Sequence, residues 1–479
     1  MEPHVIARRD LLVTMAQRVG IAGLAAVLGG QASAATGSLA AKQPHFAPRA
    51  KRIIHLWMNG GPSQVDTFDP KPAIEKFAGQ RPEAVNLRTE RATGALIASP
   101  FRFTKHGQSG MEISELLPRL AQHADDLCVI RSMHTNSPNH EPSSWMMFTG
   151  NAQPVRPAYG SWLLYGLGSL NDNLPGFIVL GEGLPINGTS TWSNRFLPGV
   201  YQGCKVTLPK KYDPRKVIAD LADPYAAVDA QRRRVDFAQH LNSIHLRRQG
   251  EDNAFVATME SLELAYRMQT SASEAFDLSR ETAATHEAYG TSYAPSKQDR
   301  EGLPDNGMDP AIFARNCLLA RRLLERGVRV VEVYAGPGQP WDTHGRNSDR
   351  HRVLCKYVDQ PIAALLQDLK QRGLFEDTLV VWGGEFGRTP TSERGDGRDH
   401  NPYGFTVWLA GGGVRGGMVF GATDEFGFKA VENRVHVHDL HATMLHLMGL
   451  DHEKLTYHYS GRDYRLTDVH GRVVKEIFA

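Results

Sequence analysis

The sequence predicts an α/β fold: a mostly parallel sheet sandwiched by helices. Three observations carry that reading. Short apolar runs recur along the chain, helical patterns lie between several of them, and polar residues able to do chemistry follow the runs. A short, continuous apolar run fits a strand buried on both faces, and strands alternating with helices favour parallel pairing.

The runs are Ile53-Ile54-His55-Leu56-Trp57-Met58, Cys128-Val129-Ile130, Phe177-Ile178-Val179-Leu180, Val328-Arg329-Val330-Val331-Glu332-Val333, Thr378-Leu379-Val380-Val381-Trp382 and Phe405-Thr406-Val407-Trp408-Leu409. Helical spacing is expected over 113–123, 311–326 and 360–372. The segment 213–289 is charged, lacks strand signals and spaces Phe255, Met259, Leu262 and Tyr266 as a helix would. It predicts a helical insertion on the core. Gly411-Gly412-Gly413-Val414-Arg415-Gly416 fits GxGxxG after a strand, but Met418-Val419-Phe420 follows as another strand and not a helix. It is read as a glycine-rich turn rather than a dinucleotide cradle.

The first residues predict a signal peptide over 1–34. Arg8-Arg9 precedes a moderately apolar stretch from Val19 to Gly29, and Ala32-Ser33-Ala34 supplies a small-residue cleavage site. The arginine pair favours the twin-arginine route, giving a periplasmic or secreted domain over 35–479. No segment reaches the ~20 apolar residues of a membrane span. Lys plus Arg number 54 against 52 Asp plus Glu, well mixed, which gives a nucleic-acid partner no support. Cys128, Cys204, Cys317 and Cys355 lack CxxC spacing and read as buried free thiols.

Parallel sheets bind ligands outside the carboxyl ends of their strands. Asn59-Gly60-Gly61-Pro62-Ser63 follows the first run. Asn139-His140-Glu141-Pro142-Ser143-Ser144 follows the second, and Trp341-Asp342-Thr343-His344 trails the Val328 run. Gly384-Glu385-Phe386-Gly387-Arg388, then Arg398-Asp399-His400-Asn401, follow the Thr378 run. Carboxylates, imidazoles and amides from distant segments thus converge on one rim, as a metal or anion site requires. His436, His438, His441 and His446 form a separate cluster, read as part of a structural helix.

In this order the chain resembles the alkaline phosphatase and sulfatase superfamily. Met58-Asn59-Gly60-Gly61-Pro62-Ser63, Trp341-Asp342-Thr343-His344 and Gly384-Glu385-Phe386-Gly387-Arg388 resemble an exported sulfatase-like family known as domain of unknown function 1501. The resemblance implies an alkaline-phosphatase-like core and places Asn59, Asp342, His344, Glu385 and His400 at a metal. Imidazoles and carboxylates together suit Zn or Mn. His140-Glu141-Pro142-Ser143-Ser144, with Thr149-Gly150 beyond, is similar to the sulfatase signature Cys-x-Pro-x-Arg. Here His140 replaces the residue oxidised to formylglycine, Ser144 replaces the arginine, and Phe386 replaces an acid. His140 is expected as a further ligand or general acid, Ser143 and Ser144 as an oxyanion site or nucleophile at a helix start, and Arg388 as an anion clamp. The expected function is an exported metal-dependent hydrolase of sulfate or phosphate esters, on a small-molecule or glycan substrate, without formylglycine. The alternative is a non-catalytic relative binding a polyanion, glycan or protein partner.

Overall fold

The computed structural model describes residues 39–210, 212, 228–249, 259–260, 263–264, 266–267, 274–302, 308–393 and 395–479. The expected signal peptide and part of the expected insertion lie outside the described residues. Within the insertion, Val228–Gln249 and Ala283–Tyr289 are helical.

The strands in chain order are β1 (Arg52–Trp57), a hairpin of β2 (Phe103–His106) and β3 (Met111–Ser114), β4 (Leu127–His134), β5 (Phe177–Leu180), β6 (Cys204–Val206), β7 (Val330–Tyr334) and β8 (Thr378–Gly383). They continue with a ribbon of β9 (Gly387–Ser392) and β10 (Arg398–Asn401), then β11 (Phe405–Ala410), β12 (Met418–Phe420), the pair β13 (Ala422–Thr423) and β14 (Ala430–Glu432), β15 (Val435–His436), and a hairpin of β16 (Tyr457–Tyr459) and β17 (Arg462–Tyr464). One nine-stranded sheet runs in the order β12-β4-β11-β8-β1-β7-β5-β6, with β15 beside β4. Every pairing in it is parallel except those of β11, which is antiparallel to both β4 and β8. The mostly parallel sheet expected from the apolar runs is therefore present, with a single reversed strand.

Alternation along the strands divides the core. Ile54, Leu56, Val331, Val333, Val380 and Trp382 face one layer, where helices Pro310–Glu325 and Asn347–Gln371 supply Ile312, Leu319, Leu354 and Leu365. Ile53, Trp57, Val330, Leu379 and Val381 face the other, packed against Phe148, Trp162, Leu163 and Leu440 of helices His140–Thr149, Tyr159–Leu167 and Val437–Leu447. Continuous apolar runs were required because both faces are dry.

Helix Pro310–Glu325 starts where the sequence places it: the Asp309 carboxylate caps the Ala311 N–H at 2.9 Å and Pro310 occupies the first turn. Asn347–Gln371 begins well before the expected 360. The helix passes through Pro361, with Leu354, Val358, Ile362, Leu365 and Leu369 all buried along one face. The helix expected over 113–123 is not formed. Ile113 pairs with Thr104 in the β2–β3 hairpin, whose turn is made by Gly107 and Gly110 at φ 65° and 66°, and only Leu120–Asp126 is helical, as 3₁₀. Leu116, Leu117 and Leu120 still reach the core, so their spacing signalled burial rather than an α-helix. Cys128, Cys317 and Cys355 are buried free thiols and Cys204 is a half-buried one.

Candidate functional site

The loops after β1, β4, β7 and β8, four mutually parallel strands, meet at the carboxyl rim. Their approach is close enough to demand glycine. Gly60, at φ 110°, has Asp342 N only 2.6 Å from where a Cβ would stand, and Gly61, at φ 80°, has the Phe386 carbonyl at 2.8 Å. The Gly60 N–H donates to both Glu385 oxygens, at 2.9 and 3.1 Å.

At the centre stands Asp342 Oδ1. Arg388 Nη2 lies 2.9 Å from it, His344 Nε2 3.1 Å, His400 Nε2 3.2 Å and His140 Nε2 3.4 Å. The far side of each ring is held by an acceptor. His140 Nδ1 donates to Glu385 Oε1 at 2.6 Å, His344 Nδ1 donates to Glu393, and His400 Nδ1 meets the Pro138 carbonyl at 2.6 Å and Glu90 Oε2 at 2.5 Å. An imidazole whose Nδ1 carries the donated proton presents a lone pair at Nε2 when neutral. On His344 and His400 such lone pairs would then face one carboxylate oxygen, with the two Nε2 atoms 3.0 Å apart. Acceptors packed this closely repel one another unless a cation lies among them.

Two overlapping ligand sets result, His140–Asp342–His400 and His344–Asp399–His400, each with donor atoms within 4.8 Å of one another. Burial acts on the groups in different ways. It lowers His400 to about 3, keeping the ring neutral, with Arg388 and His140 adding to the effect. Burial would also lower His140, but hydrogen bonds to Asp342 and Glu385 raise it above the ordinary histidine value. Burial opposes the charge on Asp342, yet Arg388 and the three imidazoles hold its carboxyl far below the usual range.

Asp342, His344 and His400 therefore meet, and His140 joins them. Glu385 stands behind His140, outside both ligand sets. Arg388 is fully buried beneath the rim, with Nε donating to the Gly61 carbonyl at 3.0 Å, Nη1 to the Arg398 carbonyl at 3.3 Å, and Nη2 to the Gly60 carbonyl as well as Asp342. Ser143 is buried and its hydroxyl donates to the Ser137 carbonyl at 2.7 Å. Ser144 and Asn59 line a narrow slot beside the cluster with Glu385, Trp57, Phe148 and Tyr334. Asn59 Nδ2 donates to the Gly336 carbonyl at 3.2 Å and to the Gly338 carbonyl, while its buried Oδ1 has no partner. Phe386 packs its ring on His140 and His400, at 4.8 and 4.6 Å between centroids.

Sequence reasoning missed Asp399, Glu393 and Glu90. Asp399 adjoins His400 on β10, is fully buried and accepts the Arg91 N–H at 2.8 Å, so its place in the Asp-His step was the available signal. Glu393 and Glu90 carry no local signature.

The separate histidine cluster is structural. His436 caps helix Val437–Leu447 in a reciprocal capping box with Asp439, and His441 Nε2 donates to the Met147 carbonyl at 2.7 Å.

Fold and site together define a mostly parallel α/β protein with an imidazole–carboxylate cluster at its carboxyl rim. The chain belongs to the family described as protein of unknown function (DUF1501), whose profile matches residues 50–478. No curated protein sequence matches it. Among solved structures it is similar to Ps i-CgsB in complex with k-i-k-neocarrahexaose, at 10% identity over 84% of this chain and 72% of that one, with a TM-score of 0.37. It is also similar to the PsFucS1 sulfatase from Pseudoalteromonas sp., at 12% identity over 85% and 69%, with a TM-score of 0.33. A TAB5 alkaline phosphatase mutant with Mg bound matches at 10% identity over 84% and 99%, with a TM-score of 0.33. No helix among the described residues is long and apolar enough to cross a membrane.

Proposed function

We propose that this protein is an exported, metal-dependent hydrolase of sulfate or phosphate esters that works without formylglycine. The observation that carries the reading is the set of three imidazoles with Nε2 turned onto Asp342 Oδ1 and Nδ1 anchored by Glu385, Glu393 and Pro138. Histidines that bind a metal are oriented in this way by an outer acceptor. Asp342, His344 and His400 would hold a divalent ion through Asp342 Oδ1 and the two Nε2 atoms. Imidazole with carboxylate suits Zn or Mn, and such an ion supplies charge neutralisation on the transferring group and activation of water when bound.

The chain's own residues do the rest. His140, held by Glu385 and raised above the ordinary histidine value, keeps a proton at Nε2 facing Asp342 and delivers it to the departing ester oxygen. Ser144, 5% exposed, offers a hydroxyl to the bound ester from the slot wall. Arg388 orients Asp342 and ties the Gly60 and Gly61 carbonyls from below, a positioning role in place of the expected anion clamp. Asn59 shapes the slot and Ser143 fixes the start of the helix that carries His140. Export through the twin-arginine route, after folding, is part of the same reading.

The test is metal analysis of natively purified protein beside assays on p-nitrophenyl sulfate and p-nitrophenyl phosphate. A stoichiometric divalent ion, with chelator-sensitive hydrolysis of one ester, is the expected result. Metal-free protein with no esterase activity refutes the proposal and leaves the non-catalytic binding alternative.

A further inference from the structure

Three side-chain amides meet at the narrow slot beside the imidazole cluster, and none is fully satisfied. The Asn59 Oδ1, Asn187 Oδ1 and Gln339 Nε2 atoms are buried with no hydrogen-bond partner among the described residues. All three residues line the slot, together with Glu385 and Ser144. What two of them do elsewhere fixes their orientation. Asn59, 2% exposed, gives its Nδ2 protons to the Gly336 and Gly338 carbonyls, so its oxygen cannot turn toward them. Asn187 Nδ2 donates to the Glu141 carbonyl at 2.8 Å, which leaves the Asn187 oxygen to the slot. The slot therefore offers two acceptors and one donor.

Its walls are tied in place. The loop after β5 meets the loop after β7 through a parallel bridge of Pro185 and Gly338, and the Gly338 N–H donates to the Leu184 carbonyl at 3.1 Å. The same loop carries two exposed apolar side chains, Leu184 and Ile186, and Ile186 lines the slot. The cavity volume is about 10 Å³, so one water or one alcohol hydroxyl fits, and not both.

An ester held at the cluster shares Glu385 and Ser144 with the slot, so its alcohol portion lies over the opening. An alcohol portion without a further hydroxyl covers the slot and brings it nothing. One that carries a hydroxyl replaces the water, donates to an asparagine oxygen and accepts from Gln339, while its carbon skeleton rests on Ile186. A site built to pair a hydroxyl rejects the analogue lacking it, because its own buried polar groups are then left unpaired. We propose that the slot reads a hydroxyl on the alcohol portion of the ester. The substrate class is then sulfate or phosphate esters of polyols and sugars, with Asn59, Asn187 and Gln339 as specificity-determining residues. This rests on the hydrolase reading and narrows it.

The probes are glycerol 1-phosphate against n-propyl phosphate, and the matching pair of sulfates, with the p-nitrophenyl esters as references. In wild type, kcat/KM for the glycerol ester should exceed that for the propyl ester by about 10–100-fold. Asn187→Ala should shrink this ratio several-fold, whereas Asn187→Asp, which keeps an acceptor but gives up the bond to Glu141, should retain it. If Asn187 served only as a tether to Glu141, both variants would slow the two esters together and leave the ratio unmoved. If Asn187→Ala does not fold, Gln339→Leu, which removes the donor from a half-buried side chain, is read in the same way. Hydrolysis of a p-nitrophenyl ester with no preference for glycerol over propyl overturns the slot assignment and leaves the hydrolase reading standing. If no ester is hydrolysed, the hydrolase reading falls, and calorimetric binding of the same pair decides the slot: tighter binding of the glycerol ester supports it and equal affinities overturn it.

Discussion

Asp66 is buried with no exposed surface, three residues past Ser63 and under the rim that carries the imidazole cluster. Arg398 approaches it from two sides, at 2.9 and 3.3 Å, while the Ser63 hydroxyl donates at 2.7 Å and Asn347 Nδ2 at 2.9 Å. Burial alone would raise its carboxyl, but Arg398, His351 and Ser63 outweigh burial and hold it at about 2 against the ordinary 3.8. At about 1.4 kcal/mol per pH unit, that difference contributes about 2–3 kcal/mol to folding. The group is depressed in the folded state, so this stability is fully present above pH 3.8 and is lost as pH falls toward 2. Asp66→Asn keeps the shape and strands the buried Arg398 charge, which costs about 3–5 kcal/mol. Urea unfolding of wild type and variant across pH 7 to 2 measures both quantities. The gap between the two proteins should be widest near neutral pH and narrow steadily below pH 4. A gap under about 1 kcal/mol at pH 7, or one that stays constant into acid, would show that the Asp66–Arg398 pair does not hold this rim.

Other outcomes follow from the same geometry. His344→Ala and His400→Ala should each lower bound metal and ester hydrolysis together, and full metal retention by His344→Ala would reassign that ring to proton transfer. Glu385→Gln can still accept from His140 and Gly60 through its one amide oxygen but loses the second acceptor and the charge anchoring His140, so turnover should fall by about 10–100-fold with metal content changed far less than by His344→Ala, read by paired kinetics and elemental analysis. Lysine at both Arg8 and Arg9 should leave precursor in the cytoplasm, visible as an uncleaved band on fractionation, and normal export of that variant would exclude the twin-arginine route.

How much of this was legible follows from where each signal lives. Strand positions β1, β5, β7 and β8 were readable because both sheet faces are dry, which leaves runs that are apolar apart from the buried His55 and Glu332. The reversal of β11 was not, since Phe405-Thr406-Val407-Trp408-Leu409 is equally apolar whichever way it runs. His140, Asp342, His344 and His400 could be named because each trails such a run. Their outer acceptors could not: Glu90 and Glu393 sit in loops whose sequence says nothing of what they approach, and Pro138 acts through its backbone. Arg388 was expected as an anion clamp, whereas the structure folds β9 against β10 and turns the guanidinium onto the Gly60, Gly61, Trp341 and Arg398 carbonyls.

The wide spacing of the imidazole cluster also sets the moment at which it can come into being. His140 and Glu385 are 245 residues apart, and even His344 and His400 are separated by 56. Closing such loops costs entropy that only the completed sheet repays, so the contacts belong among the last to form as the chain folds. Ion capture, on the proposed reading, would then be a property of the finished molecule and not of any nascent segment. Every increment of binding free energy accrues to the whole native state, and withdrawing the ion should lower the unfolding temperature of the entire domain rather than loosen one loop.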